Sequence, residues 1–207
     1  ERKANAYNLH CKLMNDRLFL LTKKISYDNL AFFCPTSLLG TYYKEHYAMK
    51  INENMVSVIL PVYNAGKYLS DCLESLIRQT HGEIQIIAID DKSRDDSYAI
   101  LKQFQKQYKN LVVSKNKKRY GVAVCYNRAL KQAKGRFITF MNPHDVSNLN
   151  RFKRQLSFFL KHPKTVAVGT QYTSIDDESK RLERSSLPEG HDEIYDNMLQ
   201  ASALHPE

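Results

Sequence analysis

Four short clusters in this sequence carry groups that could hold or offset charge. They are Pro61-Val62-Tyr63-Asn64, Asp90-Asp91-Lys92-Ser93, Lys115-Asn116-Lys117-Lys118-Arg119 and Asn142-Pro143-His144-Asp145. Each follows a short apolar run. Together they offer an aromatic ring, adjacent carboxylates, a dense cationic loop and an imidazole beside a carboxylate. That set suits a nucleotide diphosphate: a ring to stack, a carboxylate for a base edge and cations for phosphates. A neutral imidazole with a carboxylate can also ligate a divalent ion. Each cluster has a plainer reading. Asp90–Ser93 would serve as a turn with helix capping, Asn142-Pro143 is a turn signal, and an isolated histidine is more often hydrogen-bonded structure than a ligand.

The elements that must position these clusters follow from hydrophobic spacing. Val56–Leu60, Ile84–Ile89, Leu111–Ser114, Phe137–Met141 and Thr165–Thr170 read as strands. Between them, Tyr68, Leu69, Cys72, Leu73, Leu76 and Ile77 recur at helical spacing, as do Ile100, Leu101, Phe104 and Tyr108 behind a cap at Asp95 or Asp96. Val122–Lys134 reads as a helix stopped by Gly135, and Phe152, Leu156, Phe159 and Leu160 mark a fourth. Strands alternating with helices, with buried rather than alternating strand runs, predict an α/β fold with a mostly parallel sheet covered on both faces. In such sheets ligands bind beyond the carboxyl ends of the strands, where all four clusters fall. Gln171–Ile175 and Arg181–Ser185 are expected to form a hairpin, and residues 192–200 a helix. Residues 1–54 read as a helical segment or the end of a preceding domain, from Met14, Leu18, Leu21 and Ile25 and a Tyr-rich stretch over Ser37–Met49.

Composition narrows the partners. The chain has 207 residues and a formal charge of +9. Ser97–His144 contains no Asp or Glu and eleven Lys or Arg, which leaves 20 basic against 22 acidic residues elsewhere. One segment therefore carries the excess, and an anionic partner is expected. No apolar run reaches the ~20 residues of a membrane-spanning helix. The four cysteines form no CxxC unit, so a reduced, cytoplasmic chain is expected rather than a disulfide or zinc scaffold. The sequence lacks GxGxxG and the Walker GxxxxGK[ST] motif. A bound diphosphate must then be held by basic side chains or a metal.

VSVILPVYNAGKYLSDCLESLIRQT, IQIIAIDDKSRDDSYAILKQF and RYGVAVCYNRALKQAKGRFITFMNPHD, in that order, closely resemble the family 2 glycosyltransferases of GT-A fold, over about residues 55–172. The resemblance implies inverting transfer of a sugar from a nucleotide donor, often UDP-linked, to a saccharide or lipid-linked acceptor in polysaccharide or glycolipid synthesis. It implies nucleotide contacts at Pro61, Tyr63, Asn64, Asp91 and Asn142, with Asp90 supporting the turn. Arg119, with Lys118 behind it, would lie near the diphosphate; Arg128 would stabilise this loop and reach Asp91. The family's usual Asp-x-Asp is altered: Asn142 and His144 stand at its two positions, leaving Asp145 as the carboxylate. A divalent cofactor (Mn or Mg) would therefore depend on His144 and Asp145, with the donor's diphosphate supplying further oxygens. The acceptor-side general base is expected beyond Glu207, and neither Asp192 nor Glu193 is assigned that role.

The GT-A domain is thus expected over residues 55–207, acting in the cytoplasm or at the inner face of the membrane, with peripheral membrane contact through the basic helix faces. Two rival readings are a degenerate nucleotide-binding module, suggested by the altered metal motif, and a nucleic-acid binder, suggested by charge. The latter lacks any helix-turn-helix, zinc-finger or RNP-like motif, so no specific nucleic acid is expected.

Overall fold

The computed structural model describes residues 34–35, 52–194 and 196–197. The helical reading of Met14–Ile25 and Ser37–Met49 lies outside them. The chain divides into two compact units, the second starting at Thr170.

The first unit contains β1 (Cys34–Pro35), β2 (Asn52–Val62), α1 (Gly66–Ile77), β3 (Ile84–Asp90), α2 (Ser97–Gln107), β4 (Leu111–Lys115), α3 (Val122–Leu130), β5 (Gly135–Phe140) and α4 (Arg151–Lys161). The sheet order is β1-β5-β2-β3-β4. The pairs β2–β3, β2–β5 and β3–β4 are parallel, and β1 joins β5 antiparallel. Successive residues of a strand face opposite sides, which sorts the core in two. Val58 and Leu60 face α1, α2 and α4 through Leu69, Leu73, Leu101 and Phe152. Ile59, Ile87 and Ile89 face α3 through Cys125 and Ala129. All seven residues of β3 are buried, as a central strand covered on both faces requires. The α/β reading holds.

Three expectations need correction. Cys34–Pro35 lies within the segment read as helical, yet pairs with Ile138 and Phe137. A two-residue strand has no periodicity to detect, and Pro, lacking an N–H, is tolerated at a sheet edge. Thr165–Thr170 forms no strand: Val168 packs against the core without a ladder, while β1 pairs with the outer edge of β5. Gly135 is the first residue of β5 rather than a helix stop, and α3 ends at Leu130.

One carboxylate ties two helix starts together. Asp95 Oδ1 accepts hydrogen bonds from the Ser97 N–H and hydroxyl at 3.1 and 2.6 Å. Its Oδ2 accepts from the Gly66 N–H of α1 at 2.9 Å. Ser97 Oγ in turn accepts the Ala65 N–H at 2.8 Å. Burial alone would raise the Asp95 pKa, but these bonds win and hold it below the ordinary aspartate value. Asp95→Ala deprives the N–H groups at both helix starts of their acceptor and is expected to lower stability by about 1–2 kcal/mol, measured by urea unfolding.

The second unit holds the hairpin β6 (Thr173–Ile175) and β7 (Arg181–Arg184), paired antiparallel. Asp176 Oδ1 closes its turn by accepting the Lys180 and Glu178 N–H groups at 2.8 and 3.0 Å. Residues 191–194 and 196–197 are helical.

Candidate nucleotide site

The carboxyl ends of β2, β3 and β4 bring three of the four clusters together. Beyond β2, half-buried Tyr63 and exposed Asn64 turn the chain toward α1. Asn64 adopts φ 48°, a left-handed conformation that Asn tolerates better than most residues. Its Oδ1 accepts the Arg94 N–H at 2.9 Å, and its own N–H donates to Ser93 Oγ at 3.1 Å. The loops after β2 and β3 are thus stitched together. Pro61 lies inside β2, opposite Ile89 of β3, where it shapes the strand end.

The two aspartates face different tasks. Asp90 is fully buried. Its Oδ2 accepts the Ser93 N–H at 3.3 Å and sits 3.9 Å from Lys115 Nζ. Its Oδ1 finds no hydrogen-bond partner among the described residues. Asp91 receives the chain from two elements further on. Its Oδ1 accepts from Asn116 Nδ2 at 2.6 Å and from the Tyr120 N–H at 2.9 Å. Its Oδ2 accepts the Gly121 N–H at 2.7 Å. Gly121, with φ 88°, supplies a backbone conformation that L side chains rarely adopt, and it immediately precedes α3. Asp91 therefore places a negative charge at the start of that helix, where the dipole favours it. Burial pushes its carboxyl pKa up; the Tyr120, Asn116 and Gly121 bonds more than offset this and hold it below the ordinary aspartate value. The Cys125 thiol adds a fourth hydrogen bond to this buried carboxylate, about as many as an ionised carboxylate accepts.

The loop so anchored carries the cations. The Arg119 guanidinium lies over the Tyr63 ring, its Cζ 4.0 Å from the centroid. Arg128 and Lys118 lie against Tyr120 at 4.4 and 5.3 Å. These cation–π pairings set Arg119 beside Tyr63 and Lys118 beside Tyr120, whose N–H donates to Asp91. Arg128 reaches Asp91 only through Asn116, whose Oδ1 accepts the Arg128 Nη1–H. Asn116 is buried; it also donates its N–H to the Asp90 carbonyl at 2.8 Å and its amide to Cys125 Sγ at 3.4 Å. Burial, helped by the Asp91 charge, pushes the Cys125 thiol up to about 12, so it stays protonated and is no nucleophile at neutral pH.

The fourth cluster follows β5. Asn142 Oδ1 accepts the His144 N–H at 3.1 Å and the Asn142 carbonyl accepts the Asp145 N–H at 3.1 Å. Exposed His144 meets the Tyr68 ring edge-on, with centroids 5.4 Å apart. Behind the turn, Arg151 of α4 donates from Nη2 to Thr139 Oγ1 at 3.2 Å and from Nη1 toward Met141 Sδ at 3.6 Å. Among the described residues no three His, Cys, Asp or Glu gather to hold a metal. The donor set here, one imidazole and one carboxylate, suits a hard divalent ion only when ligand oxygens complete its shell.

Asn116, the Tyr120 and Gly121 amides and Arg151 were not singled out by residue type. The one sequence signal for Asn116 is a polar residue directly following a buried strand.

Residues 57–205 match the sequence profile of glycosyl transferase family 2. The chain is 39% identical over 114 residues to the minor teichoic acid biosynthesis protein GgaB of Bacillus subtilis, covering 54% of this chain and 13% of that one. It is 30% identical over 217 residues to an uncharacterized glycosyltransferase of Rickettsia bellii, covering 98% and 31%. Among solved structures, Staphylococcus aureus TarS residues 1–349 in complex with UDP-GlcNAc superposes with a TM-score of 0.50 at 33% identity, covering 53% of this chain and 32% of that one. The chain spans less than a third of the length of each of these proteins. With most of its length matched in order by the profile, the chain belongs to glycosyl transferase family 2.

Proposed function

We propose that this domain binds the UDP moiety of a nucleotide sugar at the carboxyl edge of β2, β3 and β4. The protein to which it belongs would transfer that sugar, with inversion, to a saccharide or lipid-linked acceptor of a cell-envelope polymer. The observation that carries the reading is the Asp91-anchored loop, which sets Arg119 over Tyr63 at 4.0 Å. In this reading Asp91 takes an N–H of the base in place of one of its present donors, and Tyr63 exchanges its stacked guanidinium for the base. Arg119, with Lys118 behind it, then turns to the diphosphate. The similarity to TarS, solved with UDP-GlcNAc, supports a UDP-linked donor.

In an inverting transfer an acceptor hydroxyl oxygen attacks the anomeric carbon opposite the diphosphate. The carbon–oxygen bond to the diphosphate breaks, and the hydroxyl proton passes to a base. The cationic loop would offset the negative charge that develops on the departing UDP. His144 and Asp145 are the residues that would hold a divalent ion, which when bound supplies further positive charge at the diphosphate.

Calorimetric titration with UDP, UDP-sugars and other nucleotides, with and without manganese, tests the reading. UDP is expected to bind more tightly than GDP or ADP, and manganese to strengthen it. His144→Ala is expected to abolish the manganese effect and leave metal-free binding in place. Absence of binding by every nucleotide under both conditions would refute the nucleotide site. A manganese effect unchanged in His144→Ala would refute the ligand role alone.

A further inference from the structure

The basic excess extends past the stretch that borders the nucleotide site. From Val146 to Ile175 there is again no Asp or Glu, and five Lys or Arg. Three of these, Lys153, Arg154 and Lys161, lie on the exposed side of α4, whose opposite side buries Phe152, Gln155 and Phe159. The exposed side is not purely polar: Leu160 is 81% and Phe158 44% exposed. The Phe158 ring lies against His162, centroids 4.4 Å apart. At 100° per residue, Lys153 and Leu160 are neighbours on one flank of this face, Arg154 and Phe158 on the other, and Lys161 stands between. The helix packs on the same side of the sheet as α2, which adds exposed Lys102 and Lys106. Of the acids on that side, Glu74 of α1 is already paired with Arg78 at 2.9 Å, and Asp71 is exposed.

An exposed leucine alone is ordinary. Cations alone would fit any polyanion. The two interleaved on one helix face, with no acid in 30 residues, fit a surface that is anionic outside and apolar beneath. We propose that the outer face of α4 docks on an anionic lipid bilayer. Lys153, Arg154 and Lys161 meet the lipid phosphates, while Leu160 and Phe158 enter the headgroup boundary. Among the described residues no helix is long and apolar enough to cross a membrane; the contact proposed is interfacial. It uses none of the residues of the nucleotide site and stands independently of that reading. It would hold the domain where lipid-linked acceptors lie.

Sedimentation of the full chain with sucrose-loaded vesicles tests it. Wild type is expected to partition onto phosphatidylglycerol-rich vesicles and not onto pure phosphatidylcholine. Each cation near such a surface is worth about fivefold in partitioning, so the triple variant K153Q/R154Q/K161Q should lose about a hundredfold. Leu160→Ser should lose about fivefold, and retain that loss at high salt, where the electrostatic part is screened. All these positions are exposed, so both variants should keep the far-UV circular dichroism of the wild type. No partitioning by wild type, or partitioning unchanged in the triple variant, would overturn the proposal. So would an unchanged Leu160→Ser together with equal binding of duplex DNA by wild type, which would mark a generic polyanion surface.

Discussion

Replacing Asp91 by alanine is expected to weaken UDP binding at least about a hundredfold, close to 3 kcal/mol. Two losses combine. The direct one is a charge-assisted hydrogen bond to the base, which contributes about 1.5–3 kcal/mol. The indirect one is larger in extent. Asp91 accepts from the Tyr120 and Gly121 amides and from Asn116. Without it these donors lose their acceptor, and the segment that holds Arg119 over Tyr63 is released. Asn116→Ala separates the two. It leaves the Asp91 carboxylate in place but breaks the link to Arg128, and should produce only a part of the Asp91→Ala loss. Calorimetric titration of UDP reads both. Binding by Asp91→Ala within about threefold of wild type would mean that the carboxylate caps α3 and does nothing more.

The same carboxylate gives a pH signature with a definite sign. Its folded-state pKa lies below the unfolded value of about 3.9. Its contribution to stability is therefore fully present above that value and is lost as pH falls through the lower folded one. The difference in unfolding free energy between wild type and Asp91→Asn should be constant from neutral pH down to about 5 and shrink only below about 4. Unfolding of the two proteins by urea across that range measures it.

The sheet was legible because its strands obey a simple rule. Val58-Ile59-Leu60 and Ile86-Ile87-Ala88-Ile89 are buried on both faces, so they appear as unbroken apolar runs between helices of clear periodicity. Val166-Ala167-Val168 presents the same local pattern, but Val168 packs against the core without a ladder, and no local pattern distinguishes those outcomes. The positions of Tyr63, Asp91 and Arg119 at one sheet edge followed from topology, since ends of parallel strands must converge. The wiring did not. Arg128 reaches Asp91 through Asn116 rather than directly, because a side-chain relay depends on loop conformation 25 residues away in the chain. Gly135 reads as a helix stop for a related reason. Glycine ends helices often, and nothing local announces that another strand's backbone passes close beside it.

That close approach makes Gly135 the most sensitive position away from the site. A Cβ built there would overlap the Met55 carbonyl and stand 2.9 Å from the Ser57 nitrogen. Both are backbone atoms of β2, the strand paired with β5, so no rotamer change relieves the contact. The surroundings are also polar and satisfied. Ser57 Oγ accepts the Gly135 N–H at 2.9 Å and donates to Gln85 Oε1 at 2.8 Å. Gln85 Oε1 accepts the Lys134 N–H at 2.9 Å, and Gln85 Nε2 donates to the Gln132 carbonyl at 3.1 Å. Pushing β5 away from β2 to admit a methyl group would stretch this buried set as well. Overpacking a tight site costs about 1–3 kcal/mol, and a buried donor left unpaired adds about 1–3 kcal/mol. Gly135→Ala is thus expected to destabilise the domain by about 2–5 kcal/mol, and Gly135→Val to prevent folding. The strain enters at the amino end of β5, whereas Tyr63, Asp91 and Arg119 lie beyond the carboxyl ends. The fraction of Gly135→Ala that remains folded should therefore bind UDP with wild-type affinity, the reverse of the Asp91→Ala pattern. Urea unfolding paired with UDP titration reads both quantities. A Gly135→Ala protein of wild-type stability would show that β2 and β5 can separate to accommodate a side chain at no cost.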